Sequence, residues 1–221
     1  MLIAGFDEAG RGAIFGPLVI GFVAFYESDL DYLESNSIIR DSKTLSPRSR
    51  EIANSMIISR ASIYDFVEIS PSTIDNAIKR RYSLNQLEAD FIANYILRFN
   101  QFVDKFIIDS PDTEERSFSR RILNILNKLD VKISEDKIIA KHFADRDFKV
   151  VSAASIVAKV NRDFIIESIK SRYKVDIGSG YPSDPKAIEA LKSKKDLLKR
   201  FIRKEWYTYK RIEDEKQKKL F

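Results

Sequence analysis

The sequence has no cysteine and a single histidine, His142. The first absence removes disulfides, thiolate nucleophiles and cysteine-based zinc or iron–sulfur sites. The second removes any site or acid–base pair built from two histidines of one chain. A metal here must be held mainly by oxygen, which selects hard cations such as Mg²⁺ or Mn²⁺. Glycine is scarce too: the seven residues lie at 5, 10, 12, 16, 21, 178 and 180, with none between Phe22 and Ile177. Glycine goes where a backbone needs positive φ or where something must approach closely. Two clusters and a long gap predict two special loops on a regular scaffold. Long apolar runs are also missing. The longest, Leu18 to Phe25, is far below a membrane span. Leu2 to Phe6 meets Asp7 and Glu8 too soon for the apolar region of a signal peptide. A soluble, cytoplasmic protein with no membrane partner is expected.

What is present is a chain of 221 residues, 44% hydrophobic and 32% charged. That suffices to bury a core without disulfides, and it is too apolar for a disordered chain. The net charge is +5, unevenly placed. From Lys186 to Phe221 there are 13 Lys/Arg and 6 Asp/Glu, whereas the remainder carries 25 basic and 27 acidic residues. The excess of positive charge therefore sits in the tail, as a solvated helical face or as a phosphate-binding surface. The change of balance near Pro185 predicts a domain over 1–185 and a basic helical extension over 186–221.

Apolar patterning predicts strands at Leu2–Phe6, Pro17–Tyr26, Ala61–Ile69, Lys105–Ile108 and Lys137–His142. Helices are predicted from Ser46-Pro47 to Ile58, from a cap at Ser72 or Thr73, over Ser83–Phe99, over Phe118–Leu129 and over Val150–Tyr173. Asp29 to Arg50 is otherwise polar and irregular. Ile188, Leu191, Leu198, Phe201 and Ile202 stand at helical spacing across Lys186–Trp206. Three strands followed by alternating helix and strand predict an α/β fold with a mixed sheet.

Acids mark three of these strand ends. Asp7-Glu8 closes the first, Asp109 the fourth, and Asp145 closely follows the fifth. An acid at a strand end can be a turn or cap residue. If the strands are neighbours, however, the four carboxylates meet. Packed together they repel and some take up protons; a pair of divalent cations reverses that cost and serves phosphodiester hydrolysis without histidine or cysteine. Gly10-Arg11-Gly12 follows the acid pair, offering bare backbone and a planar fork for phosphate. Asp41-Ser42-Lys43 reads as a polar loop. Gly178-Ser179-Gly180-Tyr181-Pro182 carries an aromatic able to stack on a sugar or base, or merely to pack beneath its loop.

Taken together these residues resemble one family. Asp7-Glu8-Ala9-Gly10-Arg11-Gly12 with Gly16-Pro17-Leu18-Val19 resembles the opening motif of ribonuclease HII. Asp41-Ser42-Lys43, Ile108-Asp109-Ser110-Pro111, and Ala144-Asp145 with Val151–Val160 and Arg162-Asp163 resemble the motifs that follow. Gly178–Pro185 resembles the tyrosine loop of the archaeal branch. The related HIII type carries lysine between the two glycines and an added N-terminal domain, for which a strand starting at Leu2 leaves no room. Ala13, Thr44 and Ala187 depart from the pattern, and none of them removes a carboxylate.

The resemblance implies a ribonuclease H-like fold: a central mixed five-stranded sheet flanked by helices, with a helical C-terminal extension. It implies an endonuclease that cuts the RNA strand of RNA/DNA hybrids and incises 5′ of single ribonucleotides in duplex DNA, leaving 3′-hydroxyl and 5′-phosphate ends. Asp7, Glu8, Asp109 and Asp145 are the implied catalytic residues and ligands of two Mg²⁺ or Mn²⁺ ions. Gly10, Arg11 and Gly12 would read the 2′-hydroxyl, Tyr181 would pack on the sugar, and Ser42 and Lys43 would hold phosphates. Gln217–Phe221 resembles a shortened sliding-clamp-binding peptide. A monomer is expected. The rival from another class is a non-catalytic duplex-binding module.

Overall fold

The structure, a computed structural model, describes residues 1–35 and 45–218, with the backbone alone for 216–218. Its sheet is mixed and five-stranded, in the order β3-β2-β1-β4-β5. The strands are β1 (Leu2–Ala9), β2 (Leu18–Tyr26), β3 (Ile63–Ile69), β4 (Lys105–Asp109) and β5 (Ile138–Lys141). The helices are α1 (Glu27–Ser35), α2 (Pro47–Arg60), α3 (Pro71–Lys79), α4 (Leu84–Phe99), α5 (Glu115–Lys128), α6 (Ala144–Asp147), α7 (Lys149–Tyr173), α8 (Pro185–Ser193), α9 (Lys195–Leu198) and α10 (Tyr207–Lys218). None is long and apolar enough to cross a membrane.

The chain divides into two compact units. The first comprises Met1–Ala9, Ile20–Val67 and Asn85–Val160; the second comprises Gly10–Val19, Glu68–Leu84 and Asn161–Phe221. In the first unit, side chains alternate across the strands and supply two cores. On one face Phe6 stacks on Phe22 at 4.7 Å, and Phe22 meets Tyr95 and Phe99 of α4 at 4.9 and 5.3 Å. On the other face Val23, Phe25 and Ile107 are buried with Leu33 of α1, Ile57 of α2, and Val150, Val151 and Val157 of α7. That helix lies almost flush with the sheet. A Cβ at Gly5 would fall 2.4 Å from the Val150 carbonyl oxygen, and one at Gly21 would fall 2.3 Å from that of Ala154. No side chain larger than hydrogen fits at either place.

In the second unit a separate core gathers Ile14, Phe15, Ile166, Ile169, Ile177, Leu191, Leu198, Ile202 and Ile212. Asp184 caps α8 by accepting from the Lys186 amide at 3.0 Å, with Pro185 in the first turn, the position proline favours.

Three sequence expectations need correction. Glu27–Ser35, expected to be partly irregular, is a helix; it buries only Leu33, so its periodicity is too weak to see, while Glu27 and Asp29 suit its N-terminus. The cap of α3 is Ser70 rather than Ser72 or Thr73: its hydroxyl accepts from the Thr73 amide and Pro71 opens the helix. The tail is broken rather than one helix to Trp206. Helix α8 stops at Ser193, and Ile202 forms an isolated antiparallel bridge with Phe15.

Candidate active site

The strand register brings the acids together. In the first unit β1 and β4 run parallel with Phe6 opposite Ile108, so Asp7 and Asp109 follow at the same level. Adjacent strands lie about 4.8 Å apart. Strand β4 in turn pairs in parallel with β5, Asp109 opposite Lys141. After β5 the chain turns sharply: Phe143 takes the left-handed conformation (φ 56°, ψ 31°), uncommon outside glycine. That turn presents the Ala144 amide, which donates to Asp109 Oδ1 at 2.8 Å, and the next residue is Asp145, buried in α6. Thus β1, β4 and the turn after β5 each contribute carboxylates at the same edge of one sheet.

Asp7 is buried, and its carboxyl is pushed well above the usual range. Desolvation is the main cause, followed by the charges of Glu8 and, more weakly, Asp109; hydrogen bonds from the Ser155 side chain and the Glu8 amide oppose it. Burial without a counter-charge penalises the ionised form, and neighbouring carboxylates add to the penalty. A cation among these oxygens would relieve both, so the donor set fits a hard divalent ion. Among the described residues no group of three or more His, Cys, Asp or Glu stands ready to ligate one ion as placed. Mutual repulsion of carboxylates disfavours such a cluster without a cation.

A fifth acid, missed in the sequence, belongs to the same neighbourhood. Glu88 of α4 is 1% exposed and lines one recess with Asp7, Glu8, Asp109 and Phe118. Its position four residues from both Leu84 and Ile92 was the available signal, since it puts an acid on the apolar stripe of a helix.

The two glycine loops are both found in the second unit, and they are knit to each other. The amides of Ile14 and Phe15 donate to the Gly180 carbonyl at 2.8 and 3.1 Å. Buried Arg203 donates to the carbonyls of Arg11 and Gly16 at 2.9 and 3.2 Å. Gly10 has φ +90°, and a Cβ there would lie 2.3 Å from Nε of Arg162. Arg162, 3% exposed, donates to the Ser179 carbonyl at 3.0 Å, and its guanidinium carbon stands 4.6 Å from the centre of the Tyr181 ring. Tyr181 is therefore a half-buried ring seated on a cation, not a free-standing one. Arg11 is partly exposed and Gly12 is exposed. The sequence reading placed Arg162 in a motif but missed that it joins Gly10 to Tyr181. Ser42 and Lys43, like Thr44, lie outside the described residues, as do the last three residues of Gln217–Phe221.

A five-stranded mixed sheet carrying acids at adjacent strand ends defines an enzyme of the ribonuclease H class. The family model of ribonuclease HII matches residues 4–209. A ribonuclease HII of Nanoarchaeum equitans is 42% identical over 206 residues, covering 93% of this chain and 94% of the relative. The crystal structure of ribonuclease H2 from Pyrococcus horikoshii OT3 is 36% identical with a TM-score of 0.82, over 99% of this chain and all of that one. The ribonuclease HII of Archaeoglobus fulgidus, solved as a complex with PCNA, is 33% identical with a TM-score of 0.78, over 95% of this chain and 96% of that one. The chain belongs to the ribonuclease HII family. It is accordingly a metal-dependent ribonuclease H, an endoribonuclease for RNA/DNA hybrids.

Proposed function

We propose that the enzyme hydrolyses the RNA strand of hybrids and also incises duplex DNA 5′ of a single embedded ribonucleotide, leaving 3′-hydroxyl and 5′-phosphate ends. The observation that carries this reading is the strand register, which sets Asp7 beside Asp109 with Asp145 just after the neighbouring strand. Burial, and then the charges of Glu8 and Asp109, push the Asp7 carboxyl up, and a cation among them would relieve that cost. Asp7, Glu8, Asp109 and Asp145 would hold two Mg²⁺ or Mn²⁺ ions, which when bound supply activation of the attacking water and stabilisation of the leaving oxygen. The Ala144 amide fixes one Asp109 oxygen by donating to Oδ1.

Selection of RNA must rest on the 2′-hydroxyl, the group that separates it from DNA. Gly10, Arg11 and Gly12 would make that contact, Gly12 being exposed and Gly10 buried against Arg162, and Tyr181, seated on Arg162, would present a face to the sugar. Ser42 and Lys43 hold phosphates nearby in the chain, and the basic extension over 186–221 adds to the footprint on the duplex. Every residue this reading needs is on one chain, which suits a monomer, and none depends on an oxidising compartment, which suits the cytoplasm. The PCNA complex of the Archaeoglobus relative supports a sliding clamp as partner, with Leu220 and Phe221 of Gln217–Phe221 as apolar anchors.

The test is a duplex with one ribonucleotide, incubated with and without Mg²⁺ or Mn²⁺, with the product ends mapped. Metal-dependent incision on the 5′ side is expected. Cutting of continuous hybrids with the single-ribonucleotide duplex left intact would remove the second activity.

A further inference from the structure

In the first unit a lysine reaches the proposed metal site through one intermediary. Lys159 Nζ lies 2.8 Å from Ser155 Oγ, one helical turn earlier on α7. Ser155 is fully buried, and its side chain hydrogen-bonds the Asp7 carboxyl. With the Asp7 carboxyl ionised, as a metal ligand must be, the three groups have one arrangement of protons. An ammonium has donors only, so the serine oxygen accepts from Lys159. A hydroxyl owns a single hydrogen, and that hydrogen goes to Asp7. The lysine favours this polarity over the alternative, in which a helical serine turns its hydrogen to the carbonyl four residues back, here Val151. Lys159 also puts a positive charge behind the hydroxyl, which strengthens its donation to an anion. The helix cannot drift from the strand, because Gly5 and Gly21 bring its backbone against the sheet.

We infer that Lys159 is a positioning residue: acting through Ser155, it holds the Asp7 carboxylate in the orientation that receives a divalent cation. The inference rests on Asp7 being a metal ligand, as proposed above. Hydrogen-bond partners of ligating groups are commonly worth roughly 10–100-fold in metal affinity.

The experiment is titration of the nucleic-acid-free protein with Mn²⁺, free ion being read from its paramagnetic resonance signal, with thermal midpoints recorded alongside. Ser155→Ala and Lys159→Met are each expected to weaken Mn²⁺ binding about tenfold with little change in midpoint. The double variant should be no weaker than the weaker single one, because the lysine acts only through the serine. Lys159→Arg, which restores a donor, should recover most of the affinity. At saturating Mn²⁺ the cleavage rate of Lys159→Met should return to within a few-fold of wild type. Wild-type affinity in Lys159→Met, effects that multiply in the double variant, or an arginine as weak as methionine would each overturn the relay. Asp7→Asn is the reference: if it binds Mn²⁺ normally, the metal reading of Asp7 fails and the relay with it. If Asp7→Asn loses binding while Lys159→Met does not, the relay alone is wrong.

Discussion

The two units bury opposite charges at the places where the chemistry is proposed. The first buries carboxylates at the end of a sheet: Asp7, Asp145 and the nearby Glu88 are all under a tenth exposed. Around its glycine loops the second buries guanidinium groups, Arg162 and Arg203, whose donors go to the carbonyls of Arg11, Gly16 and Ser179. One arrangement sets carboxylates beside one another. The other sets each arginine against backbone oxygen, with Nε of Arg162 left without a hydrogen bond among the described residues. On the reading proposed above, the difference separates two tasks: the cluster of acids takes a cation, and the cradle of backbone is the template for a neutral group such as a sugar hydroxyl.

The sharpest way to break the comparison is to alter one carboxylate without changing its shape. Asp7→Asn and Asp109→Asn should each lower the cleavage rate by orders of magnitude while the duplex is still bound. Near-normal turnover of either would end the account of the first unit. The second unit should respond in selectivity instead. Gly10→Ala must place its methyl against Arg162 and Pro17 at positive φ, and Tyr181→Ala removes the face above the guanidinium. A misplacement of about 1 Å can cost roughly a hundredfold in rate. For both variants kcat/KM should fall most on the single-ribonucleotide duplex, where one 2′-hydroxyl must be found, and less on a continuous hybrid. An equal fall on both substrates would reduce Tyr181 to packing.

A subtler contrast lies in stability. The Asp7 carboxyl holds its proton more tightly folded than unfolded, so raising pH from the ordinary aspartate range through its raised value removes stability from the metal-free protein. Asn cannot ionise. Metal-free Asp7→Asn should therefore melt higher than wild type above that range, and the gap should close in acid. A lower midpoint at neutral pH would mean that Asp7 is not under the inferred stress. The smallest effect is expected at the surface of the second unit. The core of that unit includes Leu191, Leu198 and Ile202, so cutting the chain at Lys186 would unfold it. Lys194→Gln and Lys199→Gln, both exposed, instead test the phosphate footprint. Each should flatten the logarithmic salt dependence of duplex binding by about one unit if its ammonium meets a phosphate.

What could be read in the sequence was local. Asp7, Asp109 and Asp145 each follow an apolar run; that the runs are neighbouring strands, the condition on which the carboxylates meet, came from the fold. Ser46-Pro47 opens α2 for a reason visible in two residues: a hydroxyl that accepts from the Ser49 amide and a ring with its φ already set. What stayed hidden depended on distance along the chain. Lys159 and Ser155 stand at an ordinary helical spacing, and nothing near them announces Asp7, almost 150 residues earlier. Glu88 looks like one more surface acid until α4 is laid on the sheet. The break after Ser193 precedes the segment whose Ile202 bridges to Phe15, far away in the chain.

The two glycines beneath α7 have a consequence for how the enzyme takes up its metal. With the Val150 and Ala154 carbonyls against the strands, no seam is left there for solvent to enter. The amides of β1 and of the first turns of α7 should then exchange with deuterium only when the whole unit opens, even in a chelator-treated sample. Small zinc-dependent domains collapse when stripped, because the ion is their core. Here the packing of α7 on the sheet needs no ion. On the reading proposed above, an ion would find the backbone in place with only the carboxylates left to gather, and it should leave and return without the protein unfolding.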